Sequence, residues 1–225
     1  MSFPSILVVI AAYNEEEGIG PTMAELAEVL DDPSYLVVDG NSSDRTVEIA
    51  KDFGAEVFAQ EGFGKGRAIS QAIERVNKNP KYVIFIDADF TYPASYISDM
   101  IRVLDEKPRV GMVLGNRFNH LLTAAAMKNP YYAGNRFLAI AQHFLNGVDL
   151  NDPLTGLRVV RWDILKGWKP KSKGFDVEAE MNHRVERKGY EIVEISIPYR
   201  VRVGQKKLRL RDGFTILKRI ISESL

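Results

Sequence analysis

The stretch Lys81-Tyr-Val-Ile-Phe-Ile-Asp-Ala-Asp-Phe-Thr-Tyr-Pro93 joins a short apolar run to two carboxylates. Its first part, Tyr82 to Ile86, is rich in aromatic and β-branched residues, as expected of a fully buried strand. Asp87 and Asp89 follow the carboxyl end of this strand. Ligands bind at that edge of an open α/β sheet, and two aspartates one residue apart can hold a hard divalent cation that also binds substrate phosphates. A solvated turn is the alternative, because aspartate is common in turns.

The residues around this stretch alternate between strand and helix patterns. Apolar runs of strand length occur at 6–12, 35–39, 55–59 and 110–114. Helix patterns occur at 16–30, 44–53, from 62–67 to about 76, and around Ile97, Ile101 and Leu104. This alternation predicts an α/β fold with a doubly wound, mostly parallel sheet and helices on both faces.

The second half of the chain has longer helix patterns. One covers 131–145, with Phe137, Ile140, Ala141 and Phe144 at helical spacing, and another covers 175–188 before a strand pattern at 191–197. No internal repeat or low-complexity linker is visible. We therefore expect residues 1–225 to form one domain.

The composition limits the classes of function. With 225 residues, 45% of them hydrophobic, the chain can bury a full core. Its 30 basic and 30 acidic residues give a net charge of zero, which argues against nucleic acid as a partner. The absence of cysteine excludes a thiolate zinc site and a cysteine nucleophile. No segment resembles a signal peptide or reaches the ~18 apolar residues of a spanning helix, so we expect a cytoplasmic protein that is neither secreted nor membrane-spanning.

Two further segments carry candidate binding residues. Gly62-Phe-Gly-Lys-Gly66 lacks the spacing of a P-loop or of a dinucleotide fingerprint, so it is either a tight turn or a helix start at which Lys65 approaches a phosphate. Residues 198–211, which we call the basic segment, contain six cations and no acidic residue: Arg200, Arg202, Lys206, Lys207, Arg209 and Arg211. This segment predicts an anionic ligand.

A C-terminal helix follows the basic segment. Leu210, Phe214, Leu217 and Ile221 form an apolar stripe beside Lys218 and Arg219, a pattern typical of a helix that lies on a membrane interface. The alternative is a helix that packs on its own core beside solvated charges.

Seven short motifs occur in one order along the chain: Ala12-Tyr-Asn-Glu15, Val38-Asp-Gly-Asn-Ser-Ser-Asp-Arg-Thr46, Gly64-Lys-Gly66, Asp87-Ala-Asp89, Gly115-Asn-Arg117, Asp152-Pro-Leu-Thr-Gly156 and Gly204-Gln-Lys-Lys-Leu208. The series resembles that of glycosyltransferase family 2, specifically its dolichyl-phosphate mannose/glucose synthase branch. The resemblance covers nearly the whole chain. It implies a nucleotide-diphospho-sugar transferase fold of the GT-A type, in which residues 1–117 bind the nucleotide sugar and residues 118–225 bind the acceptor.

The resemblance also implies roles for individual residues. Asp87, Asp89 and Arg117 become the catalytic residues, and Asp87 and Asp89 hold Mg²⁺ or Mn²⁺ at the diphosphate. Thr91 stands at the third metal-ligand position, where mannose-transferring relatives often carry a glutamine. Substrate binding falls to residues along the whole chain: Ala12, Tyr13, Asn14, Glu15, Asp39, Lys65, Ala88, Lys128, Arg202 and Lys207. Gly40 replaces the second aspartate of the usual motif, and Lys206 stands where relatives have a serine.

The expected function is therefore an inverting transfer of a hexose from a nucleotide diphosphate sugar, UDP-hexose or GDP-mannose, to polyprenyl (dolichyl) phosphate. We expect peripheral attachment to the cytoplasmic membrane surface. A soluble or glycan hydroxyl acceptor is one alternative, and a nucleotide-sugar-binding module without turnover is another. The sequence shows no general base, which a hydroxyl acceptor needs and a phosphate does not.

Overall fold

A computed structural model describes residues 5–77, 79–118 and 130–225. Within these residues, seven strands form one sheet: β1 (Ile6–Ala12), β2 (Ser34–Asp39), β3 (Glu56–Ala59), β4 (Tyr82–Phe85), β5 (Val110–Asn116), β6 (Arg158–Arg161) and β7 (Glu191–Ser196). Their order across the sheet is β3-β2-β1-β4-β6-β5-β7. The strands of the second half, β6 and β7, thus complete the sheet of the first half.

The sheet is parallel except at β6. Parallel pairs join β1 to β2 and β4, β2 to β3, and β5 to β7, whereas β6 is antiparallel to both β4 and β5. Because two antiparallel steps restore the direction, the carboxyl ends of β1, β2, β4, β5 and β7 lie along one edge. The mostly parallel sheet is confirmed, and the antiparallel β6 is an element that the sequence did not predict.

Eight helices of the described residues accompany the sheet: α1 (Glu16–Val29), α2 (Thr46–Asp52), α3 (Lys65–Arg75), α4 (Ile97–Glu106), α5 (Pro130–Asn146), α6 (Trp162–Leu165), α7 (Val177–Arg187) and α8 (Asp212–Glu223). Alternate residues of β1 point to opposite faces. Val8 and Ile10 pack with α1, α2 and α4, whereas Val9 packs with α3, α6 and α7. Helices therefore cover both faces, as predicted.

The helix starts differ from the predicted ones where glycines or turns intervene. Residues 62–64 form a loop before α3. Two glycines of this loop have positive φ angles, 78° at Gly62 and 99° at Gly64. A Cβ at Gly64 would overlap the Lys173 carbonyl oxygen, so this loop requires glycine. The predicted helices at 44–53 and 175–188 begin two residues later, at Thr46 and Val177.

A third apolar cluster joins α5, α7 and α8, and it changes the interpretation of the C-terminal stripe. Its buried members are Leu138, Ala179, Ile216 and Ile220. The face of α8 that packs on the core is therefore centred on Ile216 and Ile220, and the predicted stripe of Leu210, Phe214, Leu217 and Ile221 lies outside it, with only Leu217 packed against the cluster's edge. None of the helices in the described residues is both long and apolar enough to cross a membrane.

Candidate active site

A cavity of about 530 Å³ lies at the carboxyl edge of the sheet. Ten of the predicted site residues line it: Ala12, Tyr13, Glu15, Lys65, Asp87, Ala88, Asp89, Arg117, Arg202 and Lys207. Asn14, Asp39 and Thr91 are not among its lining residues, although each contacts or adjoins a residue that is. Lys128 lies outside the described residues.

Two loops, after β1 and after β2, are hydrogen-bonded to each other at one end of the cavity. The Asn14 N–H donates to Ser42 Oγ (2.9 Å), and the Glu15 N–H donates to Thr46 Oγ1 (2.8 Å). Asp39 Oδ2 accepts from the Ser42 N–H at 3.0 Å, while its Oδ1 is buried and has no hydrogen-bond partner in the described part of the chain. This unpaired acceptor belongs to the residue before Gly40, whose backbone packs against Tyr13.

Asp87 and Asp89 differ in their environments. Asp87 Oδ1 lies 2.6 Å from Lys65 Nζ, which also lies 2.7 Å from Glu178 Oε1. Burial opposes the charge of Asp87, but Lys65 outweighs burial and lowers the pKa of Asp87. Burial, and then the charge of Asp87, raise the pKa of Asp89. Asp89 Oδ1 accepts from the Thr91 hydroxyl at 2.5 Å, so Thr91 orients this carboxylate.

The basic segment lies across the loop that carries these carboxylates. The Arg200 N–H donates to the Thr91 carbonyl (3.1 Å), and the Val203 N–H donates to the Asp89 carbonyl (3.3 Å). The Arg202 guanidinium forms ion pairs with both Asp89 and Glu15. The segment therefore brings Arg202 into the cavity although it lies more than a hundred residues from Asp89 in sequence.

Lys207 makes the next contacts of the basic segment. Its Nζ lies 2.6 Å from Glu15 Oε1 and 3.0 Å from the Asn14 carbonyl oxygen. Burial raises the pKa of Glu15, although Lys207 and Arg202 oppose that rise. Glu15 thus has two cationic partners, Lys207 and Arg202.

Arg117 is held by a buried carboxylate. Its Nε and Nη2 donate to the two oxygens of Asp152, both at 2.7 Å, and Asn135 Nδ2 donates to the same carboxylate at 2.9 Å. The Arg117 guanidinium also lies 5.2 Å from the centre of the Tyr199 ring. This bidentate pair fixes the plane of the guanidinium at the cavity wall.

Lys206 adds a cation that the sequence did not assign to the site. It lines the cavity, and its Nζ lies 3.0 Å from the centre of the Tyr131 ring. Burial lowers the pKa of Lys206, and the like charges of Arg202 and Arg117 lower it further. An anion bound among these three cations would relieve their repulsion.

Comparison with known proteins identifies the family. The model of glycosyl transferase family 2 matches residues 7–159. The chain belongs to glycosyltransferase family 2. The family prediction is thereby confirmed, and the chain is an enzyme of the glycosyltransferase class.

The relatives of this glycosyltransferase span its length. The dolichyl-phosphate hexose transferase of Haloferax volcanii is 34% identical over 227 residues, which cover 100% of the chain and 96% of the relative. The undecaprenyl-phosphate mannosyltransferase of Micrococcus luteus is 26% identical over 219 residues, which cover 90% of the chain and 87% of the relative. Among solved structures, one match is glucosyl-3-phosphoglycerate synthase of Mycobacterium tuberculosis in complex with Mn²⁺, UDP-glucose and phosphoglyceric acid. The TM-score is 0.74 at 21% sequence identity, and the match covers 98% of the present chain and 80% of the synthase chain. That similarity shows the GT-A fold.

Sequence reasoning missed two further residues, one in the cavity wall and one beneath it. Glu178 is buried on α7 and lines the cavity, and its Oε2 has no hydrogen-bond partner among the described residues. Arg158 is fully buried and donates to the carbonyls of Pro153 (2.6 Å) and Thr155 (2.9 Å), so it holds the turn that carries Asp152. The only sequence signal for Arg158 is its place two residues after the Asp152–Gly156 motif, and Glu178 has none beyond its position in a helix pattern.

Proposed function

We propose that the protein transfers a hexose, with inversion, from a nucleotide diphosphate sugar to a polyprenyl phosphate such as dolichyl phosphate at the cytoplasmic membrane surface. One observation carries this proposal: a single cavity is lined both by the paired carboxylates Asp87 and Asp89 and by the cations Arg117, Arg202 and Lys206. The carboxylates suit a metal-bound diphosphate, and the cations suit a second phosphate group. The names of the Haloferax and Micrococcus relatives support the same acceptor class.

The donor set at the carboxylates fits Mg²⁺ or Mn²⁺. Asp87 and Asp89 offer two carboxylates, and no group of three acidic, histidine or cysteine side chains among the described residues forms a complete protein cage. A hard cation that takes its other oxygen ligands from water and substrate phosphates matches such a partial set. When bound, the ion would neutralise the charge that develops on the departing nucleotide diphosphate. The Thr91 hydroxyl, as the proposed third ligand, would have to give up its hydrogen bond to Asp89.

The nucleotide would occupy the end of the cavity between the loops after β1 and β2. Tyr13 offers a ring face, and the buried Asp39 Oδ1 can accept an N–H from uracil or from guanine. Ala12, Asn14 and Glu15 complete this end of the site. The Gly64-Lys-Gly66 resemblance favours UDP-hexose, and a thermal-shift titration tests it: stabilisation by GDP-mannose alone, with none by UDP-glucose, would contradict a UDP-sugar donor.

The acceptor phosphate would lie among Arg117, Arg202, Lys206 and Lys207. A phosphate oxygen is already anionic at neutral pH, so it attacks the anomeric carbon without a base. The new bond forms from this oxygen to the anomeric carbon as the bond from that carbon to the nucleotide diphosphate oxygen breaks. The diphosphate leaves with the electron pair, and attack from the opposite side inverts the configuration.

A hydroxyl acceptor is the second candidate, and Glu178 is the observation that favours it. A buried carboxylate in the cavity could remove a proton from a sugar or alcohol hydroxyl. The ion pair between Glu178 Oε1 and Lys65 Nζ, at 2.7 Å, weighs against this role because that carboxylate oxygen already binds a cation.

Transfer assays with matched lipids separate these candidates. We expect the protein with Mg²⁺ or Mn²⁺ to transfer hexose to polyprenyl phosphate and not to the corresponding polyprenol, with E178Q retaining that transfer. Transfer to the polyprenol that is lost in E178Q would support the hydroxyl acceptor instead. Binding of nucleotide sugar with no transfer to either lipid, or to a glycan, would indicate a module without turnover.

A further inference from the structure

Two neighbouring helices, α5 and α8, expose large apolar side chains. On α5, Phe137 is 58% exposed and Phe144 is 79% exposed, and on α8, Phe214 is 79% and Ile221 is 45% exposed. Such side chains cost free energy when they face water, so a cluster of them indicates an interaction surface. The exposed side chains of α5 form one row, which is the helical pattern predicted for residues 131–145. Those of α8 form a second row, which is the predicted C-terminal stripe.

The two rows are joined along the seam between the helices. Ala141 of α5 and Leu217 of α8 are half-buried, and both pack against the cluster that contains Leu138 and Ile216. The exposed rows therefore lie on either side of one seam. We call this surface the two-helix face; its residues are Phe137, Ile140, Ala141, Phe144, Phe214, Leu217 and Ile221.

One end of the two-helix face adjoins the active-site cavity. At the far end, Asn146 Nδ2 donates to the Ile220 carbonyl (3.0 Å), so the carboxyl ends of α5 and α8 lie together. At the near end, Lys206 lies against Tyr131 in the first turn of α5, and Lys206 also lines the cavity. An elongated ligand could thus extend from the cations of the cavity onto the apolar face.

The rim of the face carries exposed cations. Arg209 and Arg211 precede α8, and Lys218 lies on its exposed side. Arg219, by contrast, turns inward to Asp176 at 3.3 Å. Basic residues beside a partly inserted apolar surface complement the anionic headgroups of a bilayer. In a symmetric pair of chains joined through this face, the same cations would approach their own copies, which disfavours a second copy as the occupant.

We propose that the two-helix face rests on an anionic lipid bilayer, so that the headgroup phosphate of a lipid enters the cavity past Lys206 while its hydrocarbon chain stays along the seam. The sequence predicted membrane contact through the C-terminal helix alone, and this proposal adds α5 to the contacting surface. The path of the lipid rests on the acceptor proposed above, whereas the attachment itself does not.

Vesicle flotation with the full chain tests the attachment. Vesicles of phosphatidylcholine and phosphatidylglycerol at low salt should retain the wild type, and F144S/F214S should lower the partition coefficient at least about tenfold, because each phenylalanine buries a large apolar area. F53S is the matched control, since Phe53 is an exposed aromatic at the end of α2, away from the face. Equal retention of wild type and F144S/F214S, or no retention of the wild type, would overturn the proposal.

Depth measurements keep the test independent of folding defects. Tryptophan introduced by F144W or F214W should be quenched by brominated lipids, whereas tryptophan at F53W should not, and the native Trp162 and Trp168 are buried. Absence of quenching at Phe144 and Phe214 in a folded variant would contradict the attachment. The attachment would also be contradicted if the wild type bound no vesicles but formed a dimer that the F144S/F214S substitutions dissociate.

Transfer assays with two different acceptors distinguish a failure of this inference from a failure of the proposed function. F144S/F214S should transfer hexose to a short, water-soluble isoprenyl phosphate as the wild type does, and should lose transfer to long-chain polyprenyl phosphate in vesicles. Equal loss on both acceptors would overturn the lipid path. If the wild type transfers to neither acceptor while vesicle retention still depends on Phe144 and Phe214, the acceptor proposal fails and the attachment stands.

Discussion

Replacing Gly156 by alanine tests whether the loop after α5 fixes the position of Asp87. Gly156 is buried, and its N–H donates to Tyr92 Oη at 2.7 Å. A Cβ at this position would overlap Asp87 Oδ2 and lie 2.6 Å from Asp87 Cγ. On its other side the carboxylate is held by Lys65 at 2.6 Å, so it can move only by straining or breaking that ion pair.

The expected loss follows from the size of the overlap. Carbon atoms in contact lie about 3.5–4.0 Å apart, so the Asp87 carboxylate has to shift by roughly 1 Å. A misplacement of about 1 Å in an active site costs about 10²-fold in rate, or about 2.7 kcal/mol of transition-state stabilisation. Overpacking also costs about 1–3 kcal/mol of folding free energy, and each kcal/mol lowers the Tm of a chain of this size by about 2–4 °C.

The assay measures hexose transfer to polyprenyl phosphate while Mn²⁺ is titrated. For G156A we expect kcat/KM to fall about 100-fold and the half-saturating Mn²⁺ concentration to rise, with a Tm lower by only a few degrees. G134A is the matched control, because a Cβ at Gly134 meets no atom of the described residues within 4 Å. A kcat/KM within about threefold of the wild type, at unchanged half-saturating Mn²⁺, would refute the reasoning.

Three further changes test other contacts of the site. Asp89→Ala removes one of the two carboxylates and EDTA removes the metal ion, so either should abolish transfer without unfolding the protein; circular dichroism checks the fold, and full activity in EDTA would contradict the metal proposal. Lys206→Ser should raise the KM for polyprenyl phosphate about tenfold while nucleotide affinity stays unchanged, since one charge-assisted contact is worth about 1.5 kcal/mol or more; a change confined to the nucleotide would contradict it. Arg158→Met should lower the free energy of unfolding by about 3 kcal/mol or more, because it leaves the buried carbonyls of Pro153 and Thr155 unbonded, and thermal unfolding should then show a Tm lower by about 6 °C or more.

The parallel strands could be predicted because burial on both faces leaves a continuous apolar run. Ile6–Ala12 matches its predicted bounds for this reason. The antiparallel β6 could not be predicted, because both of its ends are arginines. Arg158 is accommodated by carbonyls of the preceding turn and Arg161 by the distant Val110 carbonyl, and neither contact leaves a strand pattern in the sequence.

The sequence also could not predict which face of α8 packs on the core. Its apolar residues form two adjacent rows, Phe214 with Ile221 and Ile216 with Ile220, and helical periodicity is satisfied by either row. Contacts with α5 and α7 select the second row for the core. The motifs likewise located most of the cavity lining, but they gave no indication that Arg202 would pair with Asp89 or that Glu178 would join the site.

These unexpected ion pairs explain how one cavity can hold so much charge before a substrate arrives. Asp87 is paired with Lys65, Asp89 with Arg202, and Glu15 with Lys207, so no carboxylate of the set is buried alone. Removing an unpaired charge from water costs several kcal/mol, and pairing offsets that cost within the folded protein. Under the proposed function, Asp87 and Asp89 would hold a metal ion in place of their present partners, and the lysines and arginines would bind phosphate oxygens instead. Because the folded protein has already taken these charges out of bulk water, the exchange would not have to repeat that desolvation, and charges in a water-excluded site stabilise a transition state more strongly than solvated ones.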